Sequence, residues 1–326
     1  MERRNFMSIA SKTMLSIPLI GLGSCTNTGK RASKTTASSV KDSNNLFFKL
    51  SLAQWSLHRS LFSGKLDHLD FAEKSRSLGF EGVEYVNGFF KDKAKDSSYL
   101  NEMKSRADGA GQQNVLIMID GEGDLAHPDK KTRKQAVENH YKWVEAADFL
   151  GCHAIRVNLS GGVNRIEAID ASVASLTSLS GFAKDAGINV LVENHGGFSS
   201  NGAWMKDVFS QLNIDNCGTL PDFGNFCITK GKADESGVRP CLDAYDKYKG
   251  MEELLPFAKA VSAKSYHFDD QGNETTIDFL RMMKMVKNTA YTGFVGVEYE
   301  GKNMSEDAGI KATRDLLIRV GNQLVS

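Results

Sequence analysis

From Leu50 onward the chain repeats one pattern: apolar residues at helical spacing, a glycine or polar turn, a short apolar run, then a polar cluster. The short runs predict strands at KLSLAQWSL (49 to 57), EGVEYV (81 to 86), NVLIMID (114 to 120), HAIRVNL (153 to 159), INVLVEN (188 to 194), CGTLPDF (217 to 223), VSAKSYHF (261 to 268) and FVGVEYE (294 to 300). Their starts lie 32, 33, 39, 35, 29, 44 and 33 residues apart, so each interval has room for one helix and two loops. FAEKSRSLGF, VENHYKWVEAADFLG, SLSGFAKDAG and FLRMMKMVKNTAYTGF read as helices ahead of strands, several closing on a glycine suited to a left-handed terminus. Eight such units predict a single (β/α)8 TIM barrel over residues 47–326. The competing architecture is an open doubly wound sheet, but the first strand is followed by no G-x-G-x-x-G turn and no phosphate-loop motif is present.

Buried parallel strands usually read as continuous apolar runs, whereas these end in charge. In a barrel, alternate strand residues point inward and the chemistry collects at the carboxyl ends. Period two then converges Gln54, Ser56, Glu84, Asp120, Arg156, Asn158, Glu193, His195, Asp222, Lys264, Tyr266, Glu298 and Glu300. Glu193, Asp222 and Glu298, on three different strands, would repel and take up protons unless a cation lies between them. A divalent metal is the economical cation, and oxygen ligands with one imidazole suit Mn²⁺, Mg²⁺, Co²⁺ or Zn²⁺. The bland alternative is that each acid simply pairs with Arg156, Lys264 or a loop amide.

Arg156 and Asn158 share a face and are candidates for binding ligand hydroxyls or an anionic group, or for bracing Glu193. Glu84 is a candidate hydroxyl partner, and Trp55 or Tyr85 could stack on a ligand ring, although such aromatics more often pack. His195 reads either as a loop-bonded histidine or as a contact to substrate or metal. Residues 230 to 245 lengthen the loop after the sixth strand, placing them to cover the pocket.

The chain has 40 basic and 40 acidic residues, so no global field draws it to nucleic acid. Cys152, Cys217, Cys227 and Cys241 match no metal-ribbon spacing, and an oxidising compartment would permit a disulfide among the last three. The N-terminus suggests such a compartment. Adjacent Arg3 and Arg4, an apolar stretch from Met14 to Leu22 and the LGSC ending at Cys25 resemble a twin-arginine export signal and a bacterial lipobox. The expectation is a signal peptide over residues 1–24, and contact with a membrane only through an acylated Cys25, on the periplasmic or outer-membrane side. A polar tether over residues 25–46 would follow.

LVENHGG, TLPDFGNF, VSAKSYHFDDQGNET and GFVGVEYEG resemble, in order, the strand-end motifs of the xylose-isomerase-like barrel superfamily, in its sugar phosphate isomerase/epimerase branch. The resemblance covers roughly Phe48 to Val325. In the superfamily's ketose 3-epimerases a Glu, an Asp, a His and a Glu after strands five to eight hold the metal, and the two glutamates act as acid and base. It therefore implies Glu193, Asp222 and Glu298 as ligands, with Glu193 and Glu298 moving a proton through an enediolate. Asn225 stands where those epimerases have a substrate-binding His, and Lys264 stands at the His-ligand position. Either His267 supplies the imidazole after a bend, or Lys264 takes the place and clamps an enediolate or a leaving oxygen; the second is favoured.

The implied function is a metal-dependent carbohydrate isomerase or epimerase acting on a small sugar. A 3-keto-glycoside lyase or epimerase using the same metal and base competes with it, and fits export better than a phosphorylated metabolite does. A sugar-binding lipoprotein without catalysis is the alternative of a different class. A nuclease of the same fold is disfavoured by the neutral charge.

Overall fold

The computed structural model describes residues 46–235 and 239–326. The expected signal peptide, Cys25 and almost all of the expected tether lie outside the described residues.

Eight parallel strands form one sheet: β1 (Lys49–Ala53), β2 (Gly82–Val86), β3 (Gln113–Met118), β4 (Ala154–Val157), β5 (Asn189–Glu193), β6 (Cys217–Leu220), β9 (Val261–Ser265) and β10 (Phe294–Tyr299). Their order is β6-β5-β4-β3-β2-β1-β10-β9. The ring closes between its two ends through parallel bridges pairing Thr219 with Ala258 and Asp222 with Ser262. This is the barrel expected from the eight-fold repeat.

Alternation divides most strands between two apolar regions. In β3, Ile117 packs into the large cluster shared with the helices. Leu116 and Met118 join Ala154, Leu191 and Leu220 in a smaller cluster, as expected of side chains turned to the barrel interior. That apolar plug ends where the charged strand ends begin.

The helices are α1 (His58–Phe62), α2 (Phe71–Ser77), α3 (Ser97–Gly109), α4 (Lys130–Leu150), α5 (Arg165–Asp185), α6 (Gly202–Phe209), α7 (Lys247–Leu254), α8 (Phe279–Asn288) and α9 (Glu306–Val325). Several start on a side chain that accepts an otherwise orphaned backbone N–H: Asp129 from Thr132, Asn164 from Ile166, Ser305 from Ala308. α4 ends on Gly151 at φ 76°, the left-handed terminus its glycine predicts. No helix among the described residues is long and apolar enough to cross a membrane.

Two expectations need correction. The first strand stops at Ala53, and Gln54–Leu57 form a 3-10 turn. There Gln54 accepts from the Val86 amide and shares a 2.8 Å hydrogen bond with buried His68, so it fastens the turn to the next strand. The long loop after β6 is structured: β7 (Cys227–Lys230) and β8 (Cys241–Ala244) pair antiparallel and are joined by a Cys227–Cys241 disulfide. Cys152 and Cys217 are buried free thiols.

Candidate active site

The barrel register brings the acidic ends of β5, β6 and β10 together around the β6–β9 closure. Glu193 ends β5, Asp222 lies just beyond β6, and Glu298 is paired in register with Lys264 across β10 and β9. Each carboxylate offers an oxygen within 4.8 Å of the other two, and all three are buried. Hard oxygen donors from three rigid elements fit a divalent cation.

Two ion-pair chains flank this group. Arg156 Nη1 lies 2.8 Å from Asp120 Oδ1, and its Nε lies 2.9 Å from Glu193 Oε2, an ion pair whose N–H is not aimed as a hydrogen bond. Lys264 Nζ lies 3.0 Å from Glu298 Oε1 and 3.4 Å from Glu300 Oε2. Asp222 accepts from the Gly224 and Asn225 amides and, at 2.6 Å, from Ser262, whose hydroxyl is also 3.2 Å from Glu298. Asn194 fixes the Asp222 backbone by donating to its carbonyl and accepting from its amide.

Burial sets the ionisation of these groups. It raises the Glu298 carboxyl, which Lys264 pulls back down while Glu193 pushes it up again, and it raises Asp222 in the same way. Burial opposes the charge of Lys264, but Glu298, Asp222 and Glu300 outweigh it and hold the ammonium well above its ordinary pKa. Asp120 is held at about 2, chiefly by Arg156.

Above the carboxylates opens a cavity of about 570 Å³ at the carboxyl ends of β5, β6, β9 and β10, lined by His195, Asn225, Tyr266, His267 and Glu300 among others. Asn225 Nδ2 donates to Glu193 Oε1 at 2.9 Å, so it forms the link between the cavity and the buried acid. Gly224 is small of necessity: a Cβ there would come within 2.7 Å of the Tyr266 hydroxyl and 2.8 Å of Lys264 Cγ.

The candidates separate by what they touch. Lys264 faces the carboxylates, as period two requires. His267 is exposed, with Nδ1 3.5 Å from Asn303, and stands outside the three-carboxylate group that it would complete in the less favoured of the two alternatives. Arg156 lies against both Asp120 and Glu193, so it has the contact that bracing Glu193 needs, whereas Asn158 donates to Asp120 instead. Glu84 is sealed inside the barrel, 1% exposed, where Ser51 donates to it at 2.5 Å and its Oε2 has no partner, so it does not line the cavity. Tyr85 is buried with its hydroxyl on Asn114, which makes it packing. Trp55 is partly buried and donates to Glu300 at 2.5 Å. Cys227, Lys230 and Arg239 of the hairpin line the cavity, as the long loop's position suggested.

Sequence reasoning passed over Ser262 and Asn194. Ser262 lies two residues before Lys264 on the same strand face, so period two would have found it. Asn194 falls on the opposite parity, and only the neighbouring strand end reveals its part.

A family model described as xylose isomerase-like TIM barrel matches residues 72–320. Solved structures of similar fold include a D-tagatose 3-epimerase-like protein at 19% identity, TM-score 0.62, spanning 86% of this chain and 100% of that one. A 3-keto-D-glucoside 4-epimerase from E. coli aligns at 13% identity, TM-score 0.59, over 77% of this chain and 94% of that one. A xylose isomerase-like TIM barrel protein from Mycobacterium smegmatis in complex with magnesium aligns at 14% identity, TM-score 0.62, over 86% and 98%. No curated protein gives a significant match.

Proposed function

The chain belongs to the xylose isomerase-like TIM barrel family, and on that premise we propose that it is a metal-dependent carbohydrate isomerase or epimerase. The observation that carries the reading is the buried trio of Glu193, Asp222 and Glu298 with the ammonium of Lys264 against it, beneath a cavity at the carboxyl end of the barrel. Structural neighbours named as sugar epimerases, and one in complex with magnesium, support it.

A divalent cation held by the three carboxylates would supply a Lewis acid for a sugar carbonyl and its neighbouring hydroxyl. The chain's own groups do the rest. Glu193 and Glu298 take up and return the proton on the carbon beside the carbonyl. Asn225 orients Glu193 through its Oε1, and Arg156 stands against its Oε2. Lys264 brings a fixed positive charge to where an enediolate gathers negative charge. Asn194 and Ser262 hold Asp222 in place.

A second reading is favoured by Lys264 itself. A buried ammonium in place of an imidazole ligand is suited to a leaving oxygen, so the same proton abstraction beside a ketone would expel the glycosidic oxygen of a 3-keto-glycoside, the electron pair of the broken C–H bond becoming the new C=C bond. The E. coli 3-keto-D-glucoside 4-epimerase of similar fold supports that substrate class. We place the protein outside the cytoplasm, anchored through Cys25; the Cys227–Cys241 disulfide supports an oxidising compartment.

The test is the metal content of the purified barrel after dialysis and re-addition of Mn²⁺, beside Asp222→Ala, followed by proton exchange in D₂O with ketoses and 3-keto-glycosides. Near-stoichiometric metal that is lost in the variant, with deuterium entering beside the carbonyl, is the expected result. Absence of metal from both proteins sinks the mechanism and moves the case to sugar binding without catalysis.

A further inference from the structure

The charges deep in the site are matched in place: Arg156 stands between Asp120 and Glu193, and Lys264 between Glu298 and Glu300. The cavity lining above them is not balanced. It carries Lys230, Arg239 and Lys302 against one carboxylate, Glu300, and that carboxylate is already turned to Lys264 and to the indole of Trp55. The whole chain has equal numbers of acids and bases, so this excess is local.

The three cations come from two independent elements. Lys302 lies in the segment between β10 and α9. Lys230 and Arg239 belong to the β7–β8 hairpin, where Lys230 pairs with Cys241, the Cys227–Cys241 disulfide ties the strands, and Gly231 donates to the Pro240 carbonyl at 2.7 Å. Arg239 Nε donates to the Gly231 carbonyl at 2.9 Å, which sets its guanidinium against the turn. Many of the backbone amides in the lining are engaged within the protein: His195 to Ser199, Gly196 to Ser200, Gly224 and Asn225 to Asp222, and Glu300 to Ser265. An anion entering the cavity therefore falls to side chains, and a guanidinium and ammonium groups lining one cavity suit a carboxylate, sulfate or phosphate oxygen pair.

We propose that the substrate is an acidic sugar, whose anionic group is held by Lys230 and Arg239 of the disulfide-tied hairpin and by Lys302 across the cavity. The inference rests on the sugar-acting reading above and names the substrate class for that site. The hairpin is thus a specificity element, and the disulfide fixes where its cations stand.

Tryptophan fluorescence tests it, because Trp143 and Trp204 are fully buried and Trp55, the third tryptophan, is partly exposed and bonded to Glu300 of the lining. The Mn²⁺-supplemented protein is titrated with D-glucuronate, D-glucose 6-sulfate, D-glucose 6-phosphate and D-glucose. At least one anionic sugar is expected to saturate the signal at a concentration about tenfold or more below that of glucose, with the advantage falling as salt rises. Lys230→Ala/Arg239→Ala, on the exposed hairpin, and Lys302→Ala, on the other element, each erode that advantage and leave the far-ultraviolet spectrum unchanged. Which anion binds best identifies the charged group. Equal response to glucose and to every anionic sugar, no response to any anion, or full anion preference in both variants overturns the proposal. Metal content and D₂O exchange judge the catalytic reading separately: anion preference without metal would retain the acidic-sugar site and discard the enediolate chemistry.

Discussion

Glu84 shows how a single carboxyl can be held against its chemistry. Burial pushes it up to about 7, the Ser51 hydroxyl works in the opposite direction, and its second oxygen has no partner. Between its ordinary value of 4.5 and about 7 the folded chain holds a proton that the unfolded chain has released. The stability supplied by the neutral form is therefore complete below pH 4.5 and lost as pH rises through 7, at a total of about 3 kcal/mol. Glu84→Gln keeps the neutral shape at every pH. The variant is expected to match the wild type near pH 4.5 in urea unfolding and to exceed it by up to about 3 kcal/mol at pH 8. Equal pH profiles for the two proteins would show that Glu84 does not carry the effect. Gly296 makes room for this group from β10, on the far side of β1, since a Cβ there would stand 2.5 Å from Glu84 Oε1.

Among the elements, the β7–β8 hairpin differs most from the rest. Its second strand is exposed along its full length, and its pairing register shifts twice in four residues. Such a ribbon has little apolar burial to hold it, so the disulfide carries most of its order. Cys227→Ser/Cys241→Ser is expected to speed amide exchange across 227–244 while leaving the global unfolding transition unmoved, because the barrel strands do not rely on it. Protection that stays unchanged in the hairpin would mean that its backbone bonds suffice.

The same contrast explains what could be read in advance. The eight barrel strands announce themselves because each is a buried apolar run with polar ends, and period two then sorts Glu193, Asp222, Lys264 and Glu298 onto one face. CITK and CLDA carry no such alternation, and their pairing depends on two cysteines 14 residues apart. The early end of β1 was likewise hidden, because it follows from Gln54 meeting Val86 and His68, contacts that exist only once β2 is in place. Glu306 is another case: its carboxylate gathers the Arg59 and Ser60 amides from the far end of the chain, which no local pattern reveals.

Across the whole molecule, the candidate metal group sits where the ring is weakest. Among the described residues β6 and β9 meet through isolated bridges rather than a continuous ladder, and one of those bridges joins Asp222 to Ser262. Asp222 is therefore both a closure residue and a candidate ligand, and Glu193 and Glu298 approach it from β5 and β10, one strand further out on each side of the seam. A cation bound by all three ties β5, the end of β6 and β10 together in the folded state alone. Binding of that kind stabilises folding by about 2.7 kcal/mol at a hundredfold excess over Kd, a rise of several degrees in Tm for a barrel of this size. Mn²⁺ is expected to raise the Tm of the wild type by that amount and to leave Asp222→Ala unmoved. Ser262→Ala separates the two duties of the seam: it removes the hydroxyl that supports Asp222 and lowers the metal-free Tm, yet keeps all three carboxylates and so keeps a metal-dependent rise. An equal rise in the wild type and in Asp222→Ala would place the stabilising ion elsewhere on the barrel and leave the trio as a network neutralised by Arg156 and Lys264 alone.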